Sequence, residues 1–244
     1  MTAKPRVATP LTRKLSRVVT LAPGEIGTLN NLQSTTRIIR RNREIITKGR
    51  KYDTVFILID GASIRCRILH DGRRQLLNIA LPGDLIVVSG AFSERALYSI
   101  TALSDCGPSG TLFATAQSVR QGTEARRGDL LVFCLRNCDV RRASDRCRAT
   151  IGAGTGRGFL LELLTRLQVI GLPDERSFRM PLTQELMGDA LGLSLPHVNR
   201  TLRQLRDDEL VSIQEHVAII NDVEALSALA DFSRSYLEPF CLPA

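Results

Sequence analysis

The chain has 244 residues, 43% of them hydrophobic, which suits two modest domains with real cores. Its formal charge of +8 and pI near 9.6 favour an anionic partner, because Lys and Arg gain by releasing phosphate counterions. The longest apolar runs fall far short of a membrane span and the polar N-terminus has no signal-peptide core, so a soluble, cytoplasmic protein without a membrane partner is expected.

Residues 1–10 are small, polar and twice interrupted by proline, and read as a loose end. The segment to Lys51 is strongly basic, with twelve Lys/Arg against Glu25 and Glu44, and reads as short helices. Pro23 starts one of them, with Ile26, Leu29 and Leu32 on one side. Arg37, Arg40, Arg41 and Arg43 read as a solvated face.

From Tyr52 to Ser104 the pattern changes to short strands. Val55–Ile59 is a β-prone run ended by the turn dipeptide Asp60-Gly61. Over Ser63–Leu69 the alternation predicts Ile64, Cys66 and Ile68 inward, Arg65 and Arg67 outward. His70-Asp71-Gly72 turns the chain, Leu77, Ile79 and Leu81 continue the alternation, and Pro82-Gly83-Asp84 turns it again. Short strands at this spacing predict a β-sandwich or roll.

Residues 107–158 break the pattern. They hold eight of the eighteen glycines and nine arginines, with no sustained apolar seam; Leu130–Leu135 is an isolated apolar run. Each glycine inside a helix costs about 1 kcal/mol, which argues against a long helix here. The six cysteines, Cys66, Cys106, Cys134, Cys138, Cys147 and Cys241, form no zinc-type pair of CxxC motifs. They read as reduced thiols, with metal binding or redox sensing by Cys134, Cys138 and Cys147 as a minor reading, so no metal cofactor is expected.

A convincing helix returns at Phe159–Leu167, and Gly171–Ser177 reads as a hinge. Residues 181–220 then read as helix, tight turn, helix and hairpin. Thr183 is a good N-cap for a helix carrying Leu186, Ala190 and Leu191, and Gly192 sits where that helix must stop in a left-handed conformation. Ser194 is the expected cap of the second helix, with Pro196 in its first turn. Val198, Leu202 and Leu205 fall on one side of it. Pro196, His197, Asn199, Arg200, Arg203 and Gln204 fall on the other, offering the guanidinium, amide and imidazole groups that read base edges in a major groove. Leu210–Ile213 and Val217–Ile220, joined by Gln214-Glu215-His216, suggest a wing. A tail helix from Val223 packs Leu226, Leu229 and Phe232 on the winged helix, and residues 239–244 read as loose.

The stretch from Leu182 to Val211 resembles the DNA-binding module of the Crp/Fnr superfamily of bacterial transcription regulators. The resemblance implies that the helix Leu195–Arg206 enters the major groove, that Arg200 contacts a base, and that Thr183 and Gln184 touch phosphate. Upstream, ILIDG (57–61), DGRRQ (71–75), LPGDL (81–85) and YSITALSD (98–105) resemble the cyclic-nucleotide-binding-type β-roll of the same superfamily. In cyclic-AMP-binding members a Gly-Glu pair meets the ribose and an Arg-Ser/Thr-Ala run meets the phosphate. Here Gly83-Asp84 stands at the first place and Ala96-Leu97-Tyr98 at the second, with Arg95 the nearest cation. An apolar pair cannot neutralise a cyclic phosphate, so Gly83, Asp84 and Arg95 mark an effector pocket that is not expected to take cyclic AMP. Iron–sulfur members carry an N-terminal cysteine cluster that this chain lacks, so no cluster is expected either.

The resemblance implies an α+β fold. It has an N-terminal antiparallel β-roll, a helical connector and a C-terminal winged helix-turn-helix. The divisions are a basic helical segment (1–35), the roll (36–106), the anomalous stretch (107–158), the end of the family's dimer helix (159–172) and the DNA-binding domain (173–236). It further implies double-stranded DNA and a second copy of the chain as partners, with RNA polymerase admitted as a third. Two explanations of the anomalous stretch stand side by side, divergence with loss of the dimer helix and a slipped reading frame. Translating the other two frames of the gene decides between them. The alternative function is a ligand-binding signalling module acting through protein contacts. No catalytic arrangement rises above chance, and Asp207-Asp208-Glu209 reads as a helix-end charge cluster.

Overall fold

The computed structural model describes residues 9–17, 20–33, 36–52, 54–68, 70, 72, 74–86, 95–103, 111–117, 156–171 and 176–232. It divides into two compact units, one of Met1–Arg65, Ile79–Val140 and Cys241–Ala244, the other of Cys66–Asn78 and Arg141–Phe240. Among the described residues no helix is long and apolar enough to cross a membrane.

The first unit opens with helices α1 (Pro10–Ser16) and α2 (Pro23–Leu32), each starting at a proline whose missing N–H costs nothing in a first turn. The Thr9 hydroxyl caps α1 by accepting the Thr12 N–H, and Leu11 and Leu15 are buried, so Thr9 and Pro10, read as part of a loose end, belong to a helix start. Residues 1–8 lie outside the described residues. Leu29 of α2 is buried as predicted. A polar network joins the two helices. The Thr12 hydroxyl donates to Asn30 Oδ1 at 3.0 Å, and Gln33 Nε2 donates to Thr9 Oγ1 at 2.5 Å and to the Leu29 carbonyl at 3.0 Å.

Eight strands follow along the described chain, the end of β4 and most of β5 falling in the segment Cys66–Asn78 of the second unit: β1 (Thr36–Ile39), β2 (Glu44–Ile46), β3 (Thr54–Asp60), β4 (Ser63–Ile68), β5 (Arg74–Ala80), β6 (Leu85–Ile86), β7 (Ser99–Ala102) and β8 (Thr111–Gln117). They form two four-stranded sheets, ordered β1-β8-β3-β6 and β2-β7-β4-β5. Ile46 of β2, Leu58 of β3, Ile86 of β6, and Ile100 and Ala102 of β7 share one buried cluster, so both sheets contribute to a single core. This is the predicted β-roll.

The strands start before Tyr52, because the β-branched runs Ile38-Ile39 and Ile45-Ile46 prefer a pleat to the helix read there. Arg37, Arg40, Arg41 and Arg43 are exposed, as a solvated face requires. The alternation predicted in β4 fails at its end: Ser63 and Ile64 are both buried, whereas Ile68 is 61% exposed. β8 pairs antiparallel with β1 and β3, so the sheet runs into the stretch set apart at residue 107. Residues 118–155, where the reading-frame question and Cys134, Cys138 and Cys147 fall, lie outside the described residues.

In the second unit α3 (Gly156–Val169) starts three residues before the predicted Phe159. β9 (Ser177–Arg179), α4 (Gln184–Leu191), α5 (Leu195–Asp207), β10 (Val211–Gln214), β11 (Val217–Ile220) and α6 (Val223–Leu229) follow, with sheet order β10-β11-β9. Phe159, Leu160, Leu161, Leu163, Leu164 and Leu167 of α3 are all buried, and α3 packs on α5, α6 and β9. The apolar side chains read as the end of a dimer helix are therefore buried within one chain. Leu226 of α6 is buried as predicted, but Leu229 is 53% exposed because the helix ends there.

Candidate nucleic-acid interface

The helix-turn-helix is fixed by backbone geometry at three positions. The Thr183 hydroxyl accepts the Leu186 N–H and starts α4 as predicted. Gly192 ends it at φ +67°, and the Gly188 carbonyl accepts both the Gly192 N–H and, at 3.0 Å, the Leu193 N–H. A Cβ on Gly188 would lie 2.7 Å from the Leu193 carbonyl oxygen, so only glycine lets the turn fold this closely over α4. Ser194 is the N-cap of α5 by backbone alone. Its carbonyl accepts the His197 and Val198 N–H groups at 2.9 and 3.1 Å, but its hydroxyl makes no capping bond, which corrects the expected side-chain cap.

Val198, Leu202 and Leu205 of α5 are buried, and so are Met187, Ala190 and Leu191 of α4. Leu186, expected in the core, is only half-buried, and Met187 takes its place. The nine residues predicted to meet DNA, Thr183, Gln184, Ser194, Pro196, His197, Asn199, Arg200, Arg203 and Gln204, are all exposed. No acidic residue stands in the first turn of α5. Among the described residues neither the Arg200 nor the Arg203 side chain has an intramolecular hydrogen bond or ion pair. Both side chains are exposed, so their guanidiniums are available to an anionic or base-edge partner.

The wing is present, with its first strand one residue later than predicted. Glu215 and His216 both take positive φ, 47° and 63°, the two-residue turn that matches the twist of a hairpin. The His216 carbonyl accepts the Met180 N–H at 2.7 Å, which ties the tip to the residue after β9.

The predicted effector residues are arranged differently. Gly83 has φ +84°, and a Cβ there would lie 2.8 Å from the Pro10 carbonyl oxygen of α1. Its N–H donates to the Leu58 carbonyl at 2.8 Å. Both carboxylate oxygens of Asp84 are engaged: Oδ2 accepts the Leu81 N–H at 2.8 Å, and Oδ1 accepts the Lys14 ammonium. Arg95 is exposed and donates from Nη1 to the Gly49 carbonyl at 3.0 Å. Next to it Ala96 is buried, Leu97 is exposed, and the Tyr98 ring lies 4.2 Å beneath the Arg65 guanidinium. Gly83 and Asp84 thus belong to one turn clasped by α1, while Arg95 belongs to the Gly49–Ala96 bridge. Among the described residues, no three His, Cys, Asp or Glu side chains gather as a metal site would require.

Two family descriptions match the chain in tandem, the cyclic nucleotide-binding domain over residues 36–107 and the Crp-like helix-turn-helix domain over residues 158–229. The chain belongs to the Crp/Fnr family of transcription regulators. It is 27% identical to the nitrogen fixation regulation protein FixK of Azorhizobium caulinodans over 80% of this chain and 79% of that protein. It is 26% identical to the transcriptional activator protein FnrL of Cereibacter sphaeroides over 86% of each. In fold it resembles the structure of FixK2 from Bradyrhizobium japonicum, with TM-score 0.65 and 22% identity over 80% of this chain and 96% of that one.

As a Crp/Fnr-type regulator the chain shows two features that sequence reading passed over. Leu195, the first residue of α5, is 46% exposed beside the predicted contacts, although its aliphatic character suggested an anchor. Its position before the first complete turn, where no earlier turn covers it, was the available signal. Lys14 was absorbed into a general basic segment, and nothing local in the sequence links it to Asp84, seventy residues away.

Proposed function

We propose that the chain acts as a homodimer that places α5 of each copy in successive major grooves of a near-palindromic DNA site, about 34 Å apart. The observation that carries this reading is the division of α5. Val198, Leu202 and Leu205 are buried, while Pro196, His197, Asn199, Arg200, Arg203 and Gln204 are exposed, with both arginines unpaired among the described residues. Arg200 is assigned to guanine O6 and N7, and Asn199 and Gln204 to adenine or backbone. Thr183, Gln184 and Arg203 are assigned to phosphates, which fix register without reading sequence. RNA polymerase is the partner such a DNA-bound dimer would meet. The reading needs no catalytic step.

The effector belongs to a class other than cyclic nucleotides. Lys14 and the Leu81 N–H already hold the carboxylate that stands where a ribose contact would be expected, and Leu97 and Tyr98 offer no cation to a phosphate. The experiment is sedimentation of the purified chain with a random duplex pool, followed by sequencing of the bound fraction. A dimer that enriches a two-fold symmetric site supports the proposal. A monomer with salt-sensitive, sequence-blind binding defeats it.

A further inference from the structure

The second unit contains a cleft of about 860 Å³ between the segment Cys66–Asn78, on one side, and α4 with the α4–α5 turn, on the other. That volume lies in the range of pockets that take a small organic molecule. Its apolar walls are Ile68, Leu76 and Leu193. Ile68 is the side chain that alternation placed inward and the fold leaves 61% exposed, so the cleft offers aliphatic surface that the chain itself does not cover.

The charged groups of the cleft are one cation and two carboxylates. Arg74 donates from Nε and Nη2, at 2.9 and 2.6 Å, to a single oxygen of Asp189, Oδ2. Among the described residues Asp189 Oδ1 and the Glu185 carboxylate have no partner. Glu185 and Asp189 stand one turn apart on α4, and both line the cleft. The Arg74–Asp189 pair is partly exposed on both sides, which makes it a weak pair and an exchangeable one.

These groups suit a molecule that carries both charges beside an aliphatic body. Its carboxylate can take the two Arg74 donors with one oxygen each, a better match than the single Asp189 oxygen. Its ammonium then takes the released Asp189 and the neighbouring Glu185, so every charge stays paired through the exchange. A carboxylate alone would strand Asp189 beside Glu185, and an amine alone would leave Arg74 unused as a donor to it. We infer that this cleft binds a zwitterionic α-amino acid with an aliphatic side chain, the Arg74–Asp189 pair standing in for it when the site is empty. The ligand would lie against Gly188 and Gly192, the glycines that shape the turn before α5.

The test uses three probes that share one aliphatic body: L-leucine, 4-methylpentanoate without the ammonium, and 3-methylbutylamine without the carboxylate. Each is titrated into the full isotope-labelled chain without DNA, and the amide resonances of Ile68, Gly188 and Gly192 are followed. Leucine should shift these amides saturably, and each one-charge analogue should bind about 10-fold more weakly, the scale of one charge-assisted pair. Arg74→Ala, with its other amide resonances unchanged, should lose about 10-fold for leucine and bind the amine no worse than the natural chain. Equal affinity for leucine and either analogue overturns the inference, and so does equal affinity of Arg74→Ala and the natural chain for leucine. The absence of a saturable shift with all three probes overturns the site itself. No DNA enters the measurement, so the outcome is independent of the proposed placement of α5.

Discussion

The exposed face of α5 and the turn at Gly83-Asp84 both present charged side chains, yet the chain treats them in opposite ways. On α5, Arg200 and Arg203 have no partner among the described residues. At the turn, Asp84 is held by Lys14 and by the Leu81 N–H, and Gly83 is pressed against the Pro10 carbonyl. A guanidinium left in water keeps its hydrogen-bonding capacity for a ligand. A carboxylate with both oxygens engaged must first be released, at a cost that the ligand has to exceed. The comparison teaches that the same family pattern, Gly-acid in a turn, is used here to fasten the N-terminal helix.

The largest effects should come from glycines that each region depends on. Gly188→Ala must push the Leu193 carbonyl away from a Cβ at 2.7 Å, and it is expected to destabilise the second unit by about 2–3 kcal/mol and abolish sequence selection. Gly83→Ala meets both a positive φ and the Pro10 carbonyl, and should cost about 2 kcal/mol in thermal unfolding. Sequence selection by the folded Gly83→Ala protein should be retained. If it loses selection as Gly188→Ala does, the two regions are not functionally separate and the comparison breaks.

Arg200→Ala sharpens the comparison from the DNA side. It should cost about 1–3 kcal/mol of binding and relax preference at one base position, read by competition among single-base variants of the site. Equal losses on the selected site and on random duplex would make Arg200 a phosphate contact. Arg203→Ala should do just that, weakening all sequences alike and lowering the slope of log affinity against log salt by about 1.

The Lys14–Asp84 pair provides the matched control. Both side chains are partly accessible, so Lys14→Ala should cost only about 1 kcal/mol of stability, measured in urea, with DNA affinity unchanged. An altered affinity in that variant would mean that the turn communicates with DNA binding, as an effector site would.

The helix-turn-helix was legible because its determinants are local. A cap, a left-handed glycine, a proline in a first turn and a 3.6-residue apolar stripe all lie within Thr183–Leu205, and the structure realises each except the Ser194 hydroxyl bond and the burial of Leu186, whose place Met187 takes. The β-roll was legible as a class but not in detail, since strand existence follows from short apolar runs while facing depends on partners far away. Ile68 alternates correctly with Ile64 and still ends up exposed, because the burial of β4 runs out toward that end. The clasp of α1 on the turn was illegible for the same reason. A lysine in a basic segment and an aspartate in a PGD turn look like ordinary surface residues until the fold brings them together.

The smallest expected effect lies at the wing. Glu215 and His216 both sit at positive φ, where a residue with a Cβ is held about 1 kcal/mol above glycine. His216→Gly should therefore stabilise the second unit by about 0.5–1 kcal/mol, seen as a raised melting temperature. The His216 carbonyl that accepts the Met180 N–H is retained in the variant, so the tip stays tied to the chain after β9. Unchanged DNA affinity in the stabilised variant would confine the contact to α4 and α5. A uniform loss across all sequences would show that the imidazole at the wing tip also grips phosphate, and would widen the unpaired, DNA-facing region beyond the recognition helix.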